Sequence, residues 1–249
     1  MPGRPSAFRC LFAALPLVFA LPSAGAAQVN VEFAPYAGVY LPTQNLVDHP
    51  PPGNVWGYST QLSLKQKAGV TLGGRLTLWW RSRLGAEATL GYSPSDLSAA
   101  TIQLRDGSAH VITASARALV RISATGGGSP WLRLGGGVGF VSRAGGAYSE
   151  SRTTLTSVCG TSRFAGVMSA TAGFTLGRGG LALRVDAENY MYPAGLYVNG
   201  ESPGCGGSQS QCRGWGNQVC NIIEAVSPTN KFQYDLILSV GLAVKLPGR

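Results

Sequence analysis

The sequence predicts an all-β chain closed into an eight-stranded, antiparallel, up-and-down transmembrane β-barrel, and three observations lead there. Eight segments alternate apolar with small or polar residues at a period of two, the pattern of a strand with two unlike faces. Only 12% of the 249 residues are charged, whereas 45% are hydrophobic and 35 are glycine; an ordinary soluble protein is roughly a quarter charged. The connections between segments alternate long and short, as in barrels whose tight turns lie on one side of a membrane and whose longer loops lie on the other.

The chain opens MPGRPSAFRCLFAALPLVFALPSAGAA, with Arg4 and Arg9 ahead of an apolar run from Leu11 to Leu21 and then small residues. This is the three-part pattern of a secretory signal peptide, and the run is too short for an ordinary membrane helix. Residues 1–27 are therefore expected to be a leader, with cleavage after Ala26 or Ala27, and residues 28–249 the barrel domain. Removing Arg4 and Arg9, with no acid lost, lowers the net charge from +9 to +7. The remaining arginines are spread singly along strands rather than clustered with aromatics, which argues against nucleic-acid binding.

The first expected strand, Val29 to Leu41, sets Phe33, Val39 and Leu41 against Glu32, Tyr36 and Tyr40. A long connection with His49 and the run Pro50–Pro51–Pro52–Gly53 follows. Val70 to Tyr92 is a hairpin. Val70, Leu72, Leu76, Leu78 and Trp80 share one face, and Thr71, Arg75, Thr77 and Trp79 the other; after Arg81 to Arg83 the alternation resumes with Leu84, Ala86, Ala88, Leu90 and Tyr92 against Glu87 and Thr89. A turn at those three residues puts Trp80 opposite Leu84, Leu72 opposite Tyr92, and Arg75 opposite Thr89 and diagonal to Glu87.

After a connection from Pro94 to Ser108, the fourth strand runs from His110 to Ser123, with Ile112, Val120 and Ile122 opposed to Arg117 and Arg121. The glycine turn ATGGGSP leads to Trp131–Arg143, where Leu132, Leu134, Val138 and Phe140 oppose Arg133 and Gly135, Gly137 and Gly139. Arg163–Leu176 and Leu181–Tyr192 form a second hairpin across a turn at Gly177 to Gly180, the latter strand turning Arg184, Asp186, Glu188 and Tyr190 to its polar side. Lys231–Leu246 closes the set, with Phe232, Tyr234, Leu236, Leu238, Val240, Leu242, Val244 and Leu246 on one face and Asp235 and Lys245 on the other.

A secreted soluble barrel would alternate in the same way, with its apolar side turned inward. Its water-facing surface would then consist mainly of Thr, Ser and Gly, which is unusual. The apolar parity is accordingly assigned to lipid. Trp80 and Trp131, near short turns, and Tyr92, Phe140, Phe232 and Tyr234, near long loops, are the expected membrane girdles.

The polar parity then lines the lumen. Arg75, Glu87, Arg117, Arg121, Arg133, Arg184, Asp186 and Glu188 are expected to form lumenal ion pairs, Arg75 with Glu87 first among them. An eight-stranded barrel is just wide enough for side chains to fill it, and buried guanidinium and carboxylate groups must pair to offset their desolvation. Four cysteines follow the leader, Cys159, Cys205, Cys212 and Cys220. An even number in an exported chain suggests two disulfides of unassigned connectivity, and the C-x6-C-x7-C spacing lacks the close pairing of structural zinc motifs. No metal or cofactor is expected. His49 and His110 are the available histidine bases; His110, beside Ser108 and near Asp106, lies at a strand edge, where a solvated role is commoner than a catalytic one.

With FAPYAGVYLP at the first strand, LGGRLTLWW and LRLGGGVGF in the glycine-rich strands, DLILSVGLAVKL at the last and the leader, the chain resembles the small eight-stranded outer-membrane β-barrels of Gram-negative-type bacteria. The resemblance covers Val29 to Leu246, and departs from the family where the chain ends KLPGR rather than on a strand-final aromatic. It implies a bacterial outer-membrane location with contacts to outer-membrane lipid and lipopolysaccharide. The expected function is that of a non-enzymatic surface structural or interaction protein with a plugged lumen, meeting an extracellular protein or glycan through external loops such as Pro193 to Asn230, which carries Asn199, Trp215 and Asn217. The alternative is a narrow channel for ions or small solutes.

Overall fold

A computed structural model describes residues 29–49, 62–80, 83–99, 107–122, 130–149, 156–158, 162–176, 180–193, 196–200, 222–225 and 232–246. Eight long strands of 12 to 16 residues dominate: β1 Val29–Pro42, β2 Gly69–Trp80, β3 Leu84–Ala99, β4 Gly107–Arg121, β5 Trp131–Ala144, β6 Ser162–Leu176, β7 Leu181–Pro193 and β8 Phe232–Leu246. Each pairs antiparallel with its neighbours in sequence, and β1 pairs with β8 from Val31↔Leu246 to Pro42↔Asp235, so the barrel is closed. Closure removes the unpaired edges of an open sheet, which lets such a structure stand in hydrocarbon.

The β2–β3 register is Leu72↔Tyr92, Arg75↔Thr89 and Trp80↔Leu84, as the hairpin pattern requires. Period two also sorts the faces. Leu72, Leu90, Val138, Phe164, Met168, Val185 and Val240 are each more than half exposed on the outside, whereas Arg75, Thr77, Glu87, Arg133, Arg184 and Glu188 are buried inside. Without a membrane the outer wall would be one continuous apolar surface, far larger than a soluble monomer carries.

Several differences from the sequence pattern have identifiable causes. β3 continues through Ala99, and β4 begins at Gly107, because Pro94, Ser95 and Asp96 pair with His110, Ala109 and Ser108. The first long connection contains two further strands, Val47–His49 and Leu62–Gln66, the second paired to the outer end of β3. Between Gln66↔Leu97 and Leu72↔Tyr92 the pairing shifts by one residue, and Lys67 and Ala68 both point outward. This is a β-bulge, where pairing slips and alternation breaks. In the remaining long connections, Thr156–Val158, Leu196–Gly200 and Ile222–Ala225 form a separate three-stranded sheet that ties the β5–β6 and β7–β8 connections together; Asn199 lies in it. The leader, the four cysteines, Trp215 and Asn217 lie outside the described residues.

Trp131 is not a girdle residue. It is 8% exposed and faces the lumen, because it shares the parity of Arg133 rather than that of Leu132. Tyr92 and Phe232 are exposed on the outer wall, while Trp80, Phe140 and Tyr234 are half-buried on the same outward parity. Lys245 is exposed at the short-turn end rather than lumenal.

Candidate functional site: the lumen

Every strand contributes alternate side chains to the interior, and these converge because a barrel of eight strands has little free cross-section. At mid-height, Glu87 receives Arg117 at 2.5 Å and Arg184 at 2.8 Å, with the Thr77 hydroxyl donating at 2.7 Å. Glu188 receives Arg75 at 2.5 Å and Arg117 at 3.1 Å. Asp186 takes Arg184 at 2.6 Å and Arg75 at 3.2 Å, and accepts from Thr171 at 2.6 Å. Nearer the short turns, Arg133 donates both terminal nitrogens to Glu32 at 2.8 and 3.0 Å, a bidentate pairing. Nearer the long loops, Arg143 meets Asp235 at 2.6 Å and the Tyr40 and Tyr192 hydroxyls.

The fully buried charges of the interior balance. Among the described residues, the buried arginines are Arg75, Arg117, Arg133, Arg143 and Arg184, and the buried carboxylates are Glu32, Glu87, Asp186, Glu188 and Asp235. Burying unequal numbers would leave an uncompensated charge in a low-dielectric space.

The expected Arg75–Glu87 pair is not formed. Arg75 crosses to Glu188 and Asp186 on β7, and Glu87 is taken by Arg117 and Arg184. Arg75 and Glu87 are diagonal neighbours on adjacent strands, but long side chains pointing into a closed barrel reach its far wall. Arg121 makes no ion pair among the described residues; its guanidinium carbon lies 4.8 Å from the Trp79 ring centroid.

Several lumenal residues fall outside the eight polar candidates. Arg143 follows Arg133 at even spacing along β5, so the same alternation that exposed Arg133 would have found it. The apolar group was less accessible: Val111, Val141, Ala165, Val167 and Ile237 pack with Tyr40, Tyr190 and Tyr192 in the outer half of the lumen. Their strands are apolar on both parities there, and period two cannot orient a segment that lacks contrast.

Tyr36 illustrates how the glycines serve the interior. Its ring lies where β-carbons on Gly73 and Gly91 would fall, and the Arg75 guanidinium carbon sits 3.8 Å from the ring centroid. A Gly91→Val substitution is expected to destabilise the barrel by about 1–3 kcal/mol through overpacking, read as a lower urea midpoint for loss of the heat-resistant gel form.

Among the described residues no cluster of three His, Cys, Asp or Glu could hold a metal. His110 lies on the outer wall with its ring 5.6 Å from that of Tyr92, so it does not join the lumenal groups. It lines a groove of about 580 Å³ beside the bulge with Lys67, Asp96 and Ser108.

These features define the class: the chain has the fold of the small eight-stranded outer-membrane β-barrels. The solved structure of the outer membrane protein OprG from Pseudomonas aeruginosa is similar, with a TM-score of 0.51, 13% identity, and coverage of 88% of this chain and 96% of that one. So is the solid-state NMR structure of outer membrane protein AlkL in DMPC lipid bilayers, with a TM-score of 0.50, 15% identity, and coverage of 92% and 95%. No protein-family model matches the chain, and no curated protein matches it.

Proposed function

We propose that the chain is a non-enzymatic outer-membrane barrel that conducts ions or small solutes through its charged lumen, and that the lumen is shut in the conformation described. The similar structures are of outer membrane proteins, one of them in lipid bilayers, and the apolar outer wall suits the same setting. The observation that carries the channel reading is the sharing of partners inside. Glu87 is held by both Arg117 and Arg184, Glu188 by both Arg75 and Arg117, and Arg184 also lies 3.5 Å from Glu32. A guanidinium leaving one carboxylate therefore has another in reach. Exchange avoids the large cost of an unpaired buried charge and offers a route to opening that a set of isolated pairs would lack.

A second reading has its own support. The ion-paired side chains are at most 3% exposed, and the tyrosine and aliphatic group lies above them, so the lumen is filled as a structural plug would be. The protein would then act at the cell surface through its external connections, toward lipopolysaccharide or an extracellular protein or glycan, with the four cysteines bracing those loops.

Planar lipid bilayers separate the two. The channel reading expects brief openings of the purified full chain whose frequency rises in Arg117→Gln, which frees Glu87 and Glu188 from one of their partners. Silence from both proteins, each verified as folded by heat-modifiable gel migration, would overturn it in favour of the surface role.

A further inference from the structure

Among the described residues, five fully buried arginines balance five buried carboxylates. Arg121, at the short-turn end of β4, also faces the lumen and makes no ion pair among the described residues. It stands against Trp79 at 4.8 Å and Trp131 at 5.9 Å, and Arg133 stacks on the same rings at 4.5 and 3.7 Å. The one carboxylate nearby, Glu32, is already gripped by both terminal nitrogens of Arg133.

Two further facts point the same way. The Trp79 side chain is 4% exposed, and its indole N–H, like the Nε of Arg121 and of Arg133, is buried without an acceptor. Each of these unsatisfied groups is a donor, and a buried donor without an acceptor is costly. The short turns contain Arg81, Arg83 and Arg178 but neither Asp nor Glu, and Lys245 is exposed at the same end, which leaves Glu32 as the acid nearest them. All 11 acidic residues fall in the lumen or in the outer ends and long connections of the barrel.

We propose that this mouth is a binding site for a small oxyanion, of the phosphate or carboxylate class. The Arg121 guanidinium supplies the charge and the Trp79 indole N–H a neutral donor. Arg133 holds Glu32 and so fixes the two tryptophan rings rather than supplying the free charge. The inference deepens the channel reading by naming its solute class, since an anion gathered at the short-turn mouth meets the arginines of the lumen next. The site itself does not depend on conduction.

The test measures binding and conduction separately, on the full chain. Inorganic phosphate is titrated into detergent-solubilised protein at constant ionic strength while tryptophan fluorescence is followed, with Arg121→Gln and, as a control at the opposite end of the barrel, Lys65→Gln in parallel. A saturable change is expected in the unsubstituted protein and in Lys65→Gln, weakened about tenfold in Arg121→Gln, the equivalent of about 1.4 kcal/mol. A non-saturating response, or equal affinity in Arg121→Gln, would overturn the site. In bilayers under a salt gradient, any openings should show anion preference that diminishes in Arg121→Gln. Binding without openings would refute the channel alone, and openings without phosphate binding would refute the site alone.

Discussion

Replacing Glu87 with Ala is expected to destabilise the folded barrel by about 3–5 kcal/mol, the usual consequence of removing one partner from a buried ion pair. Glu87 touches more of the interior than its place on β3 suggests. It accepts from Arg117, Arg184 and Thr77, and so joins β2, β4 and β7 across the lumen. Its loss leaves the five buried arginines facing four carboxylates. Arg184 retains Asp186 and Arg117 retains Glu188, which holds the effect below that of two fully orphaned guanidinium groups. Urea titration of protein in lipid vesicles, followed by heat-modifiable migration, measures the change. A loss smaller than about 1 kcal/mol would place Glu87 with exposed surface pairs and contradict its buried, bridging position.

The outer wall is tested by Val138→Arg. Val138 lies in the middle of β5, is 67% exposed and faces away from the lumen. An arginine at the bilayer midplane of a barrel costs roughly 2–4 kcal/mol, falling to about 0–1 near the interfaces. The substitution should therefore weaken folding into vesicles strongly, while the same change at Ile122, beyond the end of β4, should do so little. In water an exposed Val→Arg change is nearly neutral. Equal, small effects at both positions would mean that the outer face does not meet hydrocarbon.

The two experiments address the parts of the molecule that differed most in how far the sequence revealed them. Faces were legible wherever chemistry alternated: Leu76 with Thr77, Ala86 with Glu87, and Ala118 with Arg117 each alternate, so one parity had to leave the water. Hairpin register was legible between Trp80 and Leu84 because a tight turn leaves few alternatives. The outer end of β3 was not, since Pro94, Ser95 and Asp96 have the composition of a loop, and they are held extended by their pairing with β4. Trp131, beside a short turn, has the place of a girdle residue, but its parity with Arg133 puts it inside.

Partner choice in the lumen was beyond any local rule. Arg75 and Glu87 are 12 residues apart and lie diagonally across one hairpin, yet Arg75 binds Glu188, 113 residues away. The strands, the two faces of the wall and the sign of the lumenal residues follow from residue order alone, because period two and hydrophobicity are local properties. Which charges meet, the balance of the buried arginines and carboxylates, and the separation of Arg121 from them at the mouth arise only when the barrel closes. Those are properties of a closed ring of strands, in which a side chain's nearest partner is set by what projects from the opposite wall.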